Sequence, residues 1–316
     1  MAADNSPIVA HITPQTSLLP TIRAWEIYLM DQDRSPYTIK AFIGDLRLLA
    51  SYLPPDSRIG TITTNDLNHF LQWLQKGRGV PCSPKSLSRR ITSIKSFFRW
   101  LHKNGILLVD PAEKVVQHSV ISPLPQVLTM EEEQRALDVA RSYQELQKPD
   151  TRHYTLLALL LSTGIKKGEC LAITLNHIDI ESPTGSLLFV RYADPRYRYK
   201  ERKILLPGDW VISYKKYLDQ YQPVDELFPW SPRRLEYLLE DVGNKAGLNK
   251  HLSFDMCRWT CALNDKRSGM EPEQIRQKLG ISKVQWREIH MKLRKLSGEG
   301  EGATPPATVS GAQPAA

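Results

Sequence analysis

Apolar residues recur along most of this chain with the period of a helix, and in one stretch with that of a strand. In "SPYTIKAFIGDLRLLASYL", Ile39, Phe42, Ile43, Leu46, Leu49 and Leu53 return every three or four residues. Ser35 can cap that helix and Pro36 suits its first turn. A helix is expected before it, from near Leu19 through "IRAWEIYLMDQD". Another is expected over "TTNDLNHFLQWLQKG", with Thr64 or Asn65 as cap and Gly77 as stop. The strongest pattern is "SPKSLSRRITSIKSFFRWLHKNG". Leu87, Ile91, Ile94, Phe98 and Leu101 form one buried stripe, and Lys85, Arg89, Ser96, Arg99 and Lys103 fall on the opposite face.

After "VVQHSVISPLPQVLT", which reads as an extended linker, helical periodicity resumes. Thr129 can cap "TMEEEQRALDVARSYQEL", whose Glu131, Glu132 and Glu133 suit the positive end of a helix. "RHYTLLALLLSTG" is apolar nearly all round, hence buried. Around "IDIESPTGSLLFVRYADPRYRYKERKILLP" the period shortens and turn residues intervene, which predicts a small antiparallel sheet. Helices then follow at "WVISYKKYLDQY", "SPRRLEYLLEDVGNKAG", "CRWTCALNDKRSG", "EPEQIRQKLG" and "SKVQWREIHMKLRK". The pattern predicts a mainly α chain with a small antiparallel sheet. It comprises a loose tail over 1–17, a helical domain over 18–113, a linker over 114–127, an α+β domain over 128–296, and a Pro/Gly-rich disordered tail over 297–316.

Charge narrows the partners. The 316 residues carry a formal net charge of +8 and a pI near 9.2, which favours a polyanion, nucleic acid first. The exposed face of the 83–105 segment holds four cations and no acid. "RYADPRYRYKERK" interleaves Arg191, Arg196, Arg198, Lys200, Arg202 and Lys203 with Tyr192, Tyr197 and Tyr199, a composition suited to phosphates and sugars. Cys82, Cys170, Cys257 and Cys261 form no C-x-x-C pair and read as reduced thiols, so neither metal nor cofactor is expected. The N-terminus has no signal-peptide pattern and no stretch reaches a membrane span, so a cytoplasmic, nucleoid-associated protein is expected.

Three segments together resemble the tyrosine recombinases, or phage integrases. "STGIKKGECLAITLNHIDI" is similar to that family's T-G-L-R-x-G-E-L segment, and "KERKILLP" to its K-x-R-x-V-P-L strand. "FDMCRWTCALNDKRSGMEPEQIRQKLGI" resembles H-x-L-R-H-T followed by L-G-H, with Arg258, Gly269 and Gly280 at the family's spacing. The N-terminal half looks like the family's core-binding, SAM-like domain, and the resemblance spans roughly residues 20–295. It implies two domains that clamp duplex DNA. It also implies a tyrosine that attacks a phosphate, two arginines that neutralise the transition state, a lysine that protonates the leaving oxygen and assisting histidines.

By that resemblance the first arginine falls on Lys166, which keeps the charge but lacks the two-pronged fork. The lysine falls near Tyr197, or on Lys200 with a shifted turn. The two histidine positions hold Asp255 and Ile281, the second arginine is kept as Arg258, and the tyrosine falls on His290. No tyrosine follows Tyr237. The expectation is a duplex DNA-binding protein of recombination or integration with strand cleavage lost. It would meet DNA through Lys85, Arg89, Arg99, Lys103, Lys166, Arg196, Arg198, Lys200, Arg202 and Arg258, as an oligomer with itself or with an active recombinase. The rival expectations are an active, divergent recombinase and a helical protein-interaction module.

Overall fold

The structure is a computed structural model and describes residues 11–117 and 123–299. The expectations for residues 1–10, 118–122 and 300–316 lie outside the described residues. The chain divides into two compact units, residues 1–123 and 124–316.

The first unit is helical: α1 (Leu18–Asp31), α2 (Pro36–Tyr52), α3 (Thr64–Gln72) and α4 (Pro84–Lys103). Ser35 caps α2 by accepting the Thr38 N–H. Thr63, rather than Thr64 or Asn65, caps α3, because Asp66 three residues on closes a reciprocal capping box with it. A π-turn over Trp73–Gly77 carries α3 to its stop. Trp25, Leu46, Leu49, Phe70, Ile94, Phe97, Phe98 and Leu101 fill the core.

Two expectations change here. Residues 13–17 belong to the fold: Ile59 N–H donates to the Thr16 carbonyl (3.0 Å) and Gly60 N–H to that of Pro14 (2.8 Å). The buried face of α4 is also wider than the expected stripe, because Ser93, Phe97 and Trp100 join it. That rotation sets Arg89 against α2, where Asp45 takes its guanidinium at 2.5 Å and also accepts from Ser93 (2.8 Å). The acid that neutralises Arg89 therefore comes from another helix, outside the reach of any i,i+4 inspection. The described ends of the expected linker are likewise held. Val115 is buried in the first core, and the Lys250 ammonium donates to Val127 O at 2.9 Å.

The second unit contains α5 (Met130–Ser142), α6 (Arg152–Thr163), α7 (Lys167–Leu171), β1 (Ile178–Asp179), β2 (Leu187–Val190), β3 (Arg202–Leu205), α8 (Gly208–Tyr221), α9 (Pro232–Lys245), α10 (Phe254–Arg267), α11 (Pro272–Lys278) and α12 (Lys283–Leu296). Thr129 and Glu132 form the capping box of α5. The apolar α6 is the centre of the unit and packs on α5, α8, α9 and α10. The sheet runs β1-β2-β3, all antiparallel, with Leu187 opposite Leu205 and Val190 opposite Arg202. A 3-10 turn over Pro195–Lys200 joins β2 to β3 and carries the arginine–tyrosine run. A smaller apolar cluster of Leu263, Ile275, Leu279, Ile281 and Leu293 ties α10, α11 and α12 together.

Candidate functional site

Arg258 lies in the second turn of α10, and two carbonyl groups fix its guanidinium. One N–H group donates to Gly164 O and another to Leu279 O (2.7 Å). Gly164 ends α6 in the left-handed conformation (φ 59°). A Cβ there would meet Leu279 and Cys261 at 2.9 and 3.1 Å, so glycine is required on both counts. Burial lowers the Arg258 pKa, but a guanidinium stays charged in proteins and has five N–H groups, so donors remain for a ligand.

Lys166 caps α7 two residues beyond Gly164, and its side chain is 41% exposed. Burial, reinforced by the charges of Arg258, Lys200 and Arg202, outweighs the attraction of Glu169 and lowers its pKa to about 8. Of the two candidates for the sheet-turn lysine, Lys200 is the one whose charge reaches Lys166. Tyr197 instead offers its ring face to the Lys200 ammonium at 4.5 Å. Lys166 and Arg258 line a cleft of about 550 Å³ together with Lys167, Arg233, Asp255, Glu236 and Glu240, and Glu236 pairs with both Lys167 (2.6 Å) and Arg233 (3.6 Å).

Beneath this cleft is an ion pair that residue patterns did not reveal. Glu169 and Arg202, with 3% and 8% of their side chains exposed, meet at 2.8 Å. Arg202 also donates to Lys278 O (2.6 Å), and Tyr192 donates its hydroxyl to Glu169. Burial would raise the Glu169 pKa, but Arg202 and Tyr192 hold it down at about 2. Gly280 (φ 59°) gives Arg202 its space, since a Cβ would lie 2.5 Å from the guanidinium. Arg202, expected at DNA, is thus an internal strut. One signal was available: Glu169 is the only acid between Asp150 and Asp179, in a largely apolar stretch. Such a charge needs a buried partner.

Of the other aligned positions, Asp255 shares the cleft, whereas Ile281 and His290 are not among its lining residues. Asp255 is exposed at the start of α10 and makes no ion pair with Arg258. Ile281 is 5% exposed inside the α10–α12 cluster. His290 stacks on Trp286, with ring centroids 5.4 Å apart and a 23° interplanar angle. Burial, then Lys266 and Arg294, lower its pKa, which favours the neutral imidazole. No hydrogen bond or ion pair joins it to Lys166 or Arg258 among the described residues.

The remaining basic residues divide by partner. Lys85, Arg99 and Lys103 are exposed on α4 without ion pairs among the described residues, whereas Asp45 occupies Arg89. Arg196 pairs with Asp194 at 2.8 Å, and Arg198 is exposed. Arg191 and Lys203 both lie over the Phe189 ring, at 5.6 and 5.3 Å.

Residues 22–105 match the family model described as phage integrase, N-terminal SAM-like domain, and residues 126–293 match that of the phage integrase family. The chain is 25% identical over 284 residues to tyrosine recombinase XerC of Oceanobacillus iheyensis, covering 85% of this chain and 90% of that protein. In fold it is similar to lambda integrase solved as a tetramer bound to a Holliday junction (TM-score 0.69, 15% identity, 88% and 78% of the two chains). It is also similar to XerH site-specific recombinase bound to its difH substrate in a pre-cleavage complex (TM-score 0.66, 15% identity, 90% and 85%).

Proposed function

We propose that this chain, which belongs to the phage integrase family, binds duplex DNA in site-specific recombination or integration without cleaving the strand itself. One observation carries the reading. Lys166 and Arg258 still line a cleft, with the charge of Lys200 nearby, while the position that the resemblance gives to the attacking tyrosine holds His290, its ring stacked on Trp286. Such a cleft attracts a phosphodiester and releases counterions on binding it. Cleavage needs more: an activated nucleophile near the phosphorus, a forked clamp on the non-bridging oxygens and an acid for the leaving group.

The chain has lysine for the fork at 166, an apolar side chain at 281, and no phenol beyond Tyr237. Tyr192 does not replace it, because its hydroxyl donates to Glu169 and burial raises its pKa to about 12. Loss of one transition-state donor typically lowers the rate by about 10²–10³, and several are absent together. Lambda integrase has been solved as a tetramer on a junction. By analogy, this chain assembles on DNA with itself or with an active recombinase.

The test pairs binding with chemistry. Footprinting on DNA of its own genome should reveal a protected site, with affinity falling steeply as salt rises. On a nicked suicide substrate of that site, wild type and His290→Phe should give the same denaturing gel, with no protein-linked band. A protease-sensitive band in wild type that disappears in His290→Phe would identify the chain as an active, divergent recombinase.

A further inference from the structure

The first unit contains a cavity of about 380 Å³ between α1, α2 and α4, within the roughly 300–1,000 Å³ typical of small-ligand sites. Two chemistries meet in its lining. Arg34, Arg99 and Lys103 supply three cations, and no carboxylate lines the cavity. Their head groups make no ion pair or side-chain hydrogen bond among the described residues, in contrast to Arg89 and Arg90, which converge on Asp45. Aromatic rings also line it. Trp25 stacks on Phe42 (5.9 Å, 11°), and Tyr28 leans on Trp100 (5.5 Å). Thr38, Thr92 and Ser96 add hydroxyl groups to the lining.

We propose that this cavity binds a nucleotide. Its phosphate would meet Arg34, Arg99 and Lys103, and its base would enter against Tyr28, Phe42 and Trp100. Cations track the phosphate while aromatic faces stack the base, the combination by which proteins hold unpaired nucleotides. A fully paired base cannot enter a cavity without leaving its stack. The nucleotide is therefore either free or an unpaired residue of a DNA strand. The inference does not depend on the duplex-binding reading, because the free nucleotide can be tested without DNA.

The experiment titrates the full chain with dAMP, adenosine and inorganic phosphate by calorimetry. Both halves of the ligand should be needed: dAMP should bind at least tenfold more tightly than either adenosine or phosphate. Arg99→Gln, on an exposed side chain that leaves the core intact, should weaken dAMP at least tenfold. Ser96→Phe should fill the cavity and abolish binding, with folding checked by circular dichroism. Equal affinity for dAMP and phosphate would reduce the site to an anion patch and overturn the proposal, as would the absence of saturable dAMP binding. A duplex with one unpaired adenine, compared with its fully paired counterpart, then identifies the source. A preference for the unpaired base that Arg99→Gln removes assigns the site to DNA. Equal duplex affinities alongside dAMP binding assign it to the free nucleotide.

Discussion

The cationic cleft of the second unit and the basic face of α4 in the first contain the same side-chain types, held in opposite ways. Around Arg258 each charge is positioned from below. Backbone carbonyls hold Arg258, the buried Arg202–Glu169 pair supports α7 and β3, and left-handed glycines make room for both. On α4, Lys85, Arg99 and Lys103 are positioned by helix periodicity alone and reach into solvent. The difference separates two kinds of positive charge. A charge wired into the fold should affect both stability and binding when removed, and a charge laid on a helix should affect binding alone.

Arg202→Ala should break this distinction most sharply. It strands Glu169 as an uncompensated buried carboxylate, and breaking such a pair typically costs about 3–5 kcal/mol. Denaturant unfolding of the second unit should show that loss. A change under 1 kcal/mol would mean that water reaches Glu169 and the strut is unimportant. Arg258→Ala should come next. It removes hydrogen bonds from a charged donor to two carbonyls, each of a class worth about 1.5–3 kcal/mol, and should lower both the melting temperature and DNA affinity. Intact affinity with lost stability would make Arg258 purely structural.

On α4 the expected pattern reverses. Neutralising Lys85, Arg99 and Lys103 to glutamine should leave stability nearly unchanged and flatten the slope of log K against log salt by up to about three units. Arg89→Gln should do the opposite, weakening the α2–α4 contact at Asp45 with little change in slope. If Arg89→Gln also flattens the slope, the Asp45 pair opens on DNA.

The smallest effect expected is a pH dependence at Lys166. Below about pH 8 its ammonium is charged in both the folded and unfolded chain. Between about 8 and the ordinary lysine value of 10.5, the folded chain has lost the proton and the unfolded chain has kept it. The unfolded state then binds more protons, so stability rises with pH across that window, while the cleft loses a cation. DNA affinity should fall from pH 7.5 to 9 in wild type and hold level in Lys166→Arg, whose charge does not titrate there. Parallel curves would place Lys166 away from the phosphates.

Chain order carried much of this protein. Apolar periodicity placed α2 and α4, because a buried helical face must repeat every 3.6 residues, while the Thr129 cap with its glutamates marked α5 and an almost unbroken apolar run marked α6 as buried. The order of the motifs marked Lys166, Arg258, Ile281 and His290 as the positions to compare, and the absence of tyrosine beyond Tyr237 is a property of the sequence alone. Tertiary structure decided which cations are spent and which are free. Arg89 meets an acid 44 residues away and Arg202 one 33 residues away, while Arg99, as basic and as exposed by pattern, meets none among the described residues. It also set the Lys200 ammonium over the Tyr197 ring, on a 3-10 turn where the alternation suggested only a sheet. Ion pairing acts over a few ångströms of space and falls with distance and screening, so it is blind to separation along the chain, and only the folded chain reveals it.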